Sequence, residues 1–312
     1  DTWNTHGESL VWVRVPTLTS TTTKLTMCWR RTGSIRIPDY DGTKVWTDYL
    51  GVWHLSKPEN GKFVDSSGHG LDGYLPGGSS VELVAGRFGK AAYVRNGNLM
   101  APDYQPLMPS GTNGFTYTGW YLGKDYASGN YMFAGTKLGG QTSNPWDYTK
   151  GWCWIMPNNN YKPRAYASNG NMGDISTNLS DVRSNWHWLS YVSGSTASAA
   201  KFAYYDNNAQ YKSTVKTHVS SGLDFQLTGQ GFAADEVRVS SIDRTATWVK
   251  AEYEVATKAD YLTAGTTEIL STTAIVVSSD GPRYGKVSPA GLPDIGCYEC
   301  ASPILGLMLL VW

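Results

Sequence analysis

Charge is scarce in this sequence. Its 312 residues carry 26 basic and 26 acidic side chains that cancel to zero, and charged residues make up 17% of the chain, below the quarter or so usual for soluble proteins. No run of basic residues occurs, which removes the electrostatic footprint of general nucleic-acid binding. No stretch reaches the roughly 18 apolar residues of a membrane-spanning helix. Phenylalanine is sparse at 7, against 13 Trp and 20 Tyr. The rings therefore mostly carry a polar handle, which suits half-wet surfaces and interfaces. A hydrophobic share of 41% excludes a disordered chain. The opening residues Asp1 to His6 lack the basic and apolar regions of a leader and read as a mature terminus.

Cysteine is also rare: Cys28, Cys153, Cys297 and Cys300. No second CxxC and no histidine pair completes a zinc set around Cys297 and Cys300. An even number of cysteines in a chain poor in charge and rich in Ser, Thr, Asn and Gly favours an oxidising, extracytoplasmic setting. Four cysteines allow three pairings. The reading adopted is a local Cys297–Cys300 bridge, with Cys28–Cys153 as the second pair.

What the sequence has in abundance is short alternating segments between turns. Leu10–Val15 and Lys24–Arg30 read as a hairpin, and Gly51–Leu55 follows as a strand before the polar loop Asp65–Gly70. Later strands lie around Tyr93, Trp120, Phe133, Trp152 to Trp154, Trp188, Tyr204 and Val237. Turns at intervals of about ten residues predict an all-β, antiparallel, two-sheet sandwich or jelly roll. One helix is expected after Thr245, with Trp248, Val249, Tyr253 and Ala256 at helical spacing.

Catalytic patterns are missing. A glycoside hydrolase on such a fold needs two carboxylates aimed across a cleft, and no Glu-x-Asp-x-Glu strand is present. Asp235 and Glu236 are neighbours, so on a regular strand they face opposite ways. The five histidines adjoin no GxSxG elbow; His54 and His187 each sit beside a Trp in a strand and read as structural. Glycan binding has more support. Trp146, Tyr148 and Tyr161 surround a polar loop, whereas Trp152 and Trp154 share one strand face that reads as core.

The chain ends on Pro303–Trp312, ten residues without a charge. Extended, this segment reaches about 33 Å. It either completes the chain's own sheet or, through Ile304, Leu305, Leu307, Leu309, Val311 and Trp312, adds to the open sheet edge of a second copy. Strand exchange from head to tail does not close and would build a filament. Asn178-Leu179-Ser180 is an N-glycosylation-type triplet that matters only in a eukaryotic host.

Several segments, taken in order, resemble the laminin-G-like, concanavalin A-like jelly-roll domains of bacterial surface proteins. They are Gly51–Leu55, Asp65–Gly73, Gly86–Ala91, the strands around Trp120 and Trp188, and Asp235–Ser240 running into Arg244–Tyr253. The preceding segment resembles the small β module that often accompanies such domains. The resemblance implies an N-terminal module over residues 1–48, a jelly roll over 49–265 and a C-terminal extension over 266–312. It also implies a secreted, non-catalytic protein whose work is adhesion or assembly, with other surface proteins, further copies of itself or glycans as partners. Some relatives hold calcium in a rim loop, and the residues in the matching loops here are Asp65, Asp72 and Asp235. Calcium takes six to eight oxygens; the alternative is that Asp65 and Ser67 organise a turn by bonding to backbone.

Overall fold

A computed structural model describes residues 9–14, 42–102, 114–124, 131–136, 150–156, 164–169, 172–175, 183, 185–193, 201–206, 209–214, 224–258 and 307–311. The chain divides into two compact units, one of residues 42–253 and one of residues 1–41 with 254–312. In chain order the elements are β1 (Ser9–Val13), α1 (Gly42–Val45), β2 (Tyr49–Trp53), β3 (Ser80–Ala85), β4 (Lys90–Asn96) and β5 (Asn98–Ala101). There follow β6 (Phe115–Gly123), β7 (Tyr131–Thr136), β8 (Lys150–Met156), β9 (Arg164–Asn169), β10 (Met172–Ile175) and β11 (His187–Ser193). The last are β12 (Lys201–Asp206), β13 (Ala209–Thr214), β14 (Phe225–Gly229), β15 (Phe232–Ser240), α2 (Ala246–Thr257) and β16 (Leu307–Val311).

The larger unit is the expected β-sandwich. One sheet runs β10-β9-β8-β7-β14-β5, and the other runs β11-β6-β15-β4-β3 with β2 also on β15. Every described pair within these two sheets is antiparallel. Alternation places Phe115, Tyr117 and Tyr121 of β6, and Trp152 and Trp154 of β8, in one core between the sheets. Rings from the two sheets meet face to face there. Phe133 stacks on Phe232 with centroids 4.5 Å apart, and Trp152 stacks on Tyr191 at 4.4 Å. Aromatic pairs of this kind add to the burial of their area. The polar ends of the core tyrosines are satisfied within it: Tyr117 and Tyr121 bond through their hydroxyls, and Tyr121 donates to the Leu227 carbonyl at 2.8 Å.

Helix α2 forms as its sequence predicts. The Thr245 hydroxyl accepts from the Trp248 backbone N–H at 3.2 Å, supplying the N-cap. Val249 is buried, and Tyr253 stacks on Trp120 at 5.8 Å. Tyr117 and Tyr121 point into the core, so Trp120 points away from it and α2 lies on the outer face of the β6–β15 sheet. That cover explains why all nine residues of β15 are buried.

In the smaller unit β1 pairs with β16 in parallel, Ser9 opposite Leu307 through Val13 opposite Val311. The terminal strand thus lies beside a strand of its own chain. The other half of the expected hairpin, Lys24–Arg30, lies outside the described residues.

The Cys28–Cys153 bridge is corrected. Cys153 is a free thiol, fully buried in β8, and burial pushes it well above the ordinary thiol range; a thiol so placed is inert. Cys28, Cys297 and Cys300 lie outside the described residues.

Because Phe232 is wholly buried against Phe133 across the two sheets, Phe232→Ala is expected to lower the free energy of unfolding by about 3–5 kcal/mol. Leu83→Ala, on the exposed part of β3, should cost about 0.5 kcal/mol or less. Urea unfolding of the two variants measures the contrast.

Candidate functional site

Among the described residues, the buried acidic side chains fall into two groups. In the first, Asp65 sits in the loop after β2 and is buried. Its Oδ1 accepts from the backbone N–H groups of Val52 and Ser67, both at 2.9 Å. Its Oδ2 accepts from the Ser67 hydroxyl at 2.8 Å and the Leu71 N–H at 3.1 Å. Asp72 in turn accepts from the Asp65 N–H at 3.1 Å. One carboxylate thus ties β2 to the Asp65–Leu71 loop through four donors, the turn-organising role.

The second group begins with an irregularity in β15. Phe232 and Ala234 face the core, and so do Val237 and Val239; the parity of the strand changes between them. The pairing of β15 with β6 shifts register between Asp235 and Arg238, and Glu236 has φ of 52°. This is a β-bulge whose left-handed residue is not glycine. It turns Asp235 and Glu236 to the same outer face, correcting the expectation that neighbours on this strand point oppositely. No residue in the sequence announces the bulge, since glycine is the usual marker.

Both carboxylates are then committed to neighbours. Glu236 accepts from His54 Nδ1 at 2.9 Å and from the Arg238 guanidinium at 2.6 Å, and the Arg238 guanidinium lies over the Trp46 ring, 5.4 Å from its centroid. Asp235 Oδ2 accepts from the Phe88 N–H at 2.8 Å, in the turn that joins β3 to β4. A Cβ on Gly86 would stand 2.6 Å from that oxygen, so the Gly86–Gly89 segment is glycine-opened to let a carboxylate in. Asp235 Oδ1 is buried and has no hydrogen-bond partner among the described residues.

From α2, Glu252 completes the group. Its Oε1 accepts from the Tyr49 hydroxyl at 3.0 Å and from the Trp248 indole N–H at 3.3 Å. Arg244 lies 4.3 Å from the Trp248 ring centroid and reaches Asp48 at 3.6 Å.

Burial pushes the Asp235 carboxyl well up, with Glu236 beside it adding to the shift and the Phe88 and Arg87 amides opposing it. Burial would raise Glu236 too, but His54 and Arg238 outweigh it and hold that carboxyl below its ordinary value. Glu252 is raised by burial, against the pull of Arg238 and the Tyr49 hydroxyl. Adjacent acids with opposite shifts can mark acid–base pairs. Here Asp235 and Glu236 are at most 2% exposed, and their polar neighbours are protein groups.

Asp65, Asp72 and Asp235, the possible calcium ligands, do not converge on one point. Among the described residues no three His, Cys, Asp or Glu side chains converge as metal ligands. The physical reason lies in the donors: Asp65 is filled by four of them, and Asp235 turns to the β3–β4 turn. Trp146, Tyr148 and Tyr161, together with Ile304, Leu305 and Trp312, lie outside the described residues. Leu307, Leu309 and Val311 lie in β16, opposite Ser9, Val11 and Val13. Trp152 and Trp154 are core residues, as their shared strand face predicts.

No protein-family model matches the sequence, and no curated protein is significantly similar to it. Among solved structures, the chain is similar to the botulinum neurotoxin serotype D binding domain, at 11% identity and a TM-score of 0.50, over 69% of this chain and 52% of that one. It is similar to domain 4 of AbnA, an extracellular GH43 arabinanase from Geobacillus stearothermophilus, at 18% identity and a TM-score of 0.49, over 65% of this chain and 96% of that one. The binding domain of Paraclostridial Mosquitocidal Protein 1 gives 14% identity and a TM-score of 0.49, over 65% and 51%. The chain thus spans about half the length of the toxin domains. The likeness to the serotype D domain bears on the fold alone, a β-sandwich.

The pH dependence of stability follows from the shifts. The contribution of Glu236, whose carboxyl is depressed, is present above its ordinary value of 4.5 and is lost as pH falls below it. Glu236→Gln should abolish that loss in thermal melts between pH 5 and about pH 3. Asp235, whose carboxyl is raised, works the other way: stability falls as pH rises above its ordinary 3.8, and Asp235→Asn should flatten that limb. Parallel curves for variant and parent would contradict both assignments.

Proposed function

We propose that this chain is a non-catalytic extracellular binding protein of the laminin-G-like kind, working in adhesion. The observation that carries the reading is the commitment of Asp65, Asp235, Glu236 and Glu252 to hydrogen bonds that join loops, strands and α2. Carboxylates used this way hold surfaces in place. A hydrolase needs two that reach a substrate together, one able to deliver a proton and one to attack or activate water. Fold likeness does not choose between these roles; the committed carboxylates support the binding one. Glycans are the partner class that the surplus of Trp and Tyr supports, and Trp146, Tyr148 and Tyr161 remain the sequence-based candidates for that contact.

Assembly through strand addition is a second reading, supported by the β1–β16 pair. It is a two-stranded sheet, so each strand has one partner among the described residues and an outer edge on which another strand could pair. Since β16 is paired within its own chain, exchange between copies would replace the β1–β16 contact with the same contact made between two chains.

The test of the main reading is a glycan array paired with hydrolysis assays on the same sugars. Retained binding without turnover is expected, with binding reduced at least tenfold by Trp146→Ala. Turnover by the parent protein that is abolished in Glu236→Gln would contradict it. For assembly, light scattering of the full chain against a chain lacking residues 303–312 is decisive: multimers present only in the full chain support strand addition, and equal sizes reject it.

A further inference from the structure

Beside α2, the outer face of the β6–β15 sheet is topped by cations lying on rings. Arg87 lies 5.2 Å from the Trp120 ring centroid. Arg95 and Lys124 lie 5.3 Å and 5.2 Å from the Tyr93 centroid. Ala92 and Val94 point into the core, so Tyr93 points outward as Trp120 does. The two rings sit beside positions 233 and 235 of β15, Tyr93 opposite Ala233 and Trp120 opposite Asp235. The rings lie on the strands either side of β15, offset by about 7 Å along the strands and by about 10 Å across them, so the charges run diagonally over the sheet. Both rings are only 2% exposed, whereas Arg87 and Lys124 are exposed and the Arg95 side chain is 56% exposed. Glu82 pairs with Arg95 at 2.5 Å and fixes the orientation of its guanidinium.

From this arrangement we infer that Arg87, Arg95 and Lys124 form a docking face for a linear polyanionic glycan, bearing sulfate or carboxylate groups. The inference deepens the binding reading above and rests on it. Ring faces hold the cations in place while their charges stay toward solvent, so little side-chain freedom is left to lose on binding. The Arg87 guanidinium fork matches the geometry of sulfate and carboxylate oxygens, whereas Arg95 holds Glu82 with its Nε and one terminal nitrogen and offers only its remaining N–H groups. A row of charges on the flat face of a sheet suits an extended polymer. Single-stranded nucleic acid binds by stacking its bases on open aromatic faces, and here both rings are covered.

The experiment measures retention of the full chain on immobilised dextran sulfate, alginate, neutral dextran and single-stranded DNA across a salt gradient. Retention on dextran sulfate or alginate, none on neutral dextran and weaker retention on DNA are expected, and the first two polymers separate sulfate from carboxylate recognition. The triple variant Arg87→Gln, Arg95→Gln, Lys124→Gln should bind at least tenfold more weakly with its thermal melt preserved. Lys124→Gln alone, at an exposed position, should weaken binding severalfold and covers the case in which the triple variant misfolds. Arg87→Lys with Arg95→Lys, which keeps the charges and removes the guanidinium forks, should weaken binding severalfold but less than the triple Gln variant. Equal binding by the Gln variants, no retention of the parent on either polyanion, or preference for DNA would overturn the inference. Retained binding to neutral glycans on the array, with no polyanion binding, would refute this face and leave the broader binding reading standing.

Discussion

The contact between His54, Glu236 and Arg238 governs how the jelly roll is put together. Glu236 adopts a left-handed backbone, and Leu55, next to His54, does so as well with φ of 59°. Two non-glycine residues in that region thus lie at the two ends of a single hydrogen-bonded contact. Such conformations cost of order 1–3 kcal/mol each and persist only where their surroundings fix them. The carboxylate accepting from both His54 and Arg238 supplies that fixing. Without the bulge, the C-terminal half of β15 would turn its valines outward and its charges into the core.

The consequences spread through both layers. Inside, Val237 and Val239 meet the aromatic core. Outside, Asp235 is free to capture the β3–β4 turn, and Arg238 to lie on Trp46. Helix α2 then closes over this side through Glu252, Tyr49 and Tyr253. The acidic residues most suggestive of chemistry in this chain are those that hold its strands, turn and helix together. Leaving a buried charge without its partner is costly, so the cluster stands or falls as a unit.

Much of this was legible from residue patterns. Alternation along Phe115–Leu122 and Trp152–Met156 marks strands with one face in the core, and Thr245 with the spacing of Val249 and Tyr253 marks α2. The pattern could not show the bulge, because Glu236 takes a conformation its type seldom adopts, and so it could not show that Asp235 and Glu236 share a face. Nor could it pair β1 with β16: parallel strands from opposite ends of the chain carry no turn between them that would record the contact. The cation-topped face was hidden for a similar reason, since Arg87, Arg95 and Lys124 come together only when β4, β6 and the β3–β4 turn do. Cys153 shows the opposite error, a thiol assigned by counting that packing has sealed away.

Asp235 and Glu236 are buried and hydrogen-bonded within the protein, and the proposed binding role requires that they meet no substrate. Side-chain carboxyl titration by carbon-detected NMR tests it most directly. The account predicts that Glu236 titrates below 4.5 and Asp235 above 3.8, with neither signal perturbed by saturating oligosaccharide. Ordinary titration of both groups, or a shift of either carboxyl on adding sugar, would contradict it.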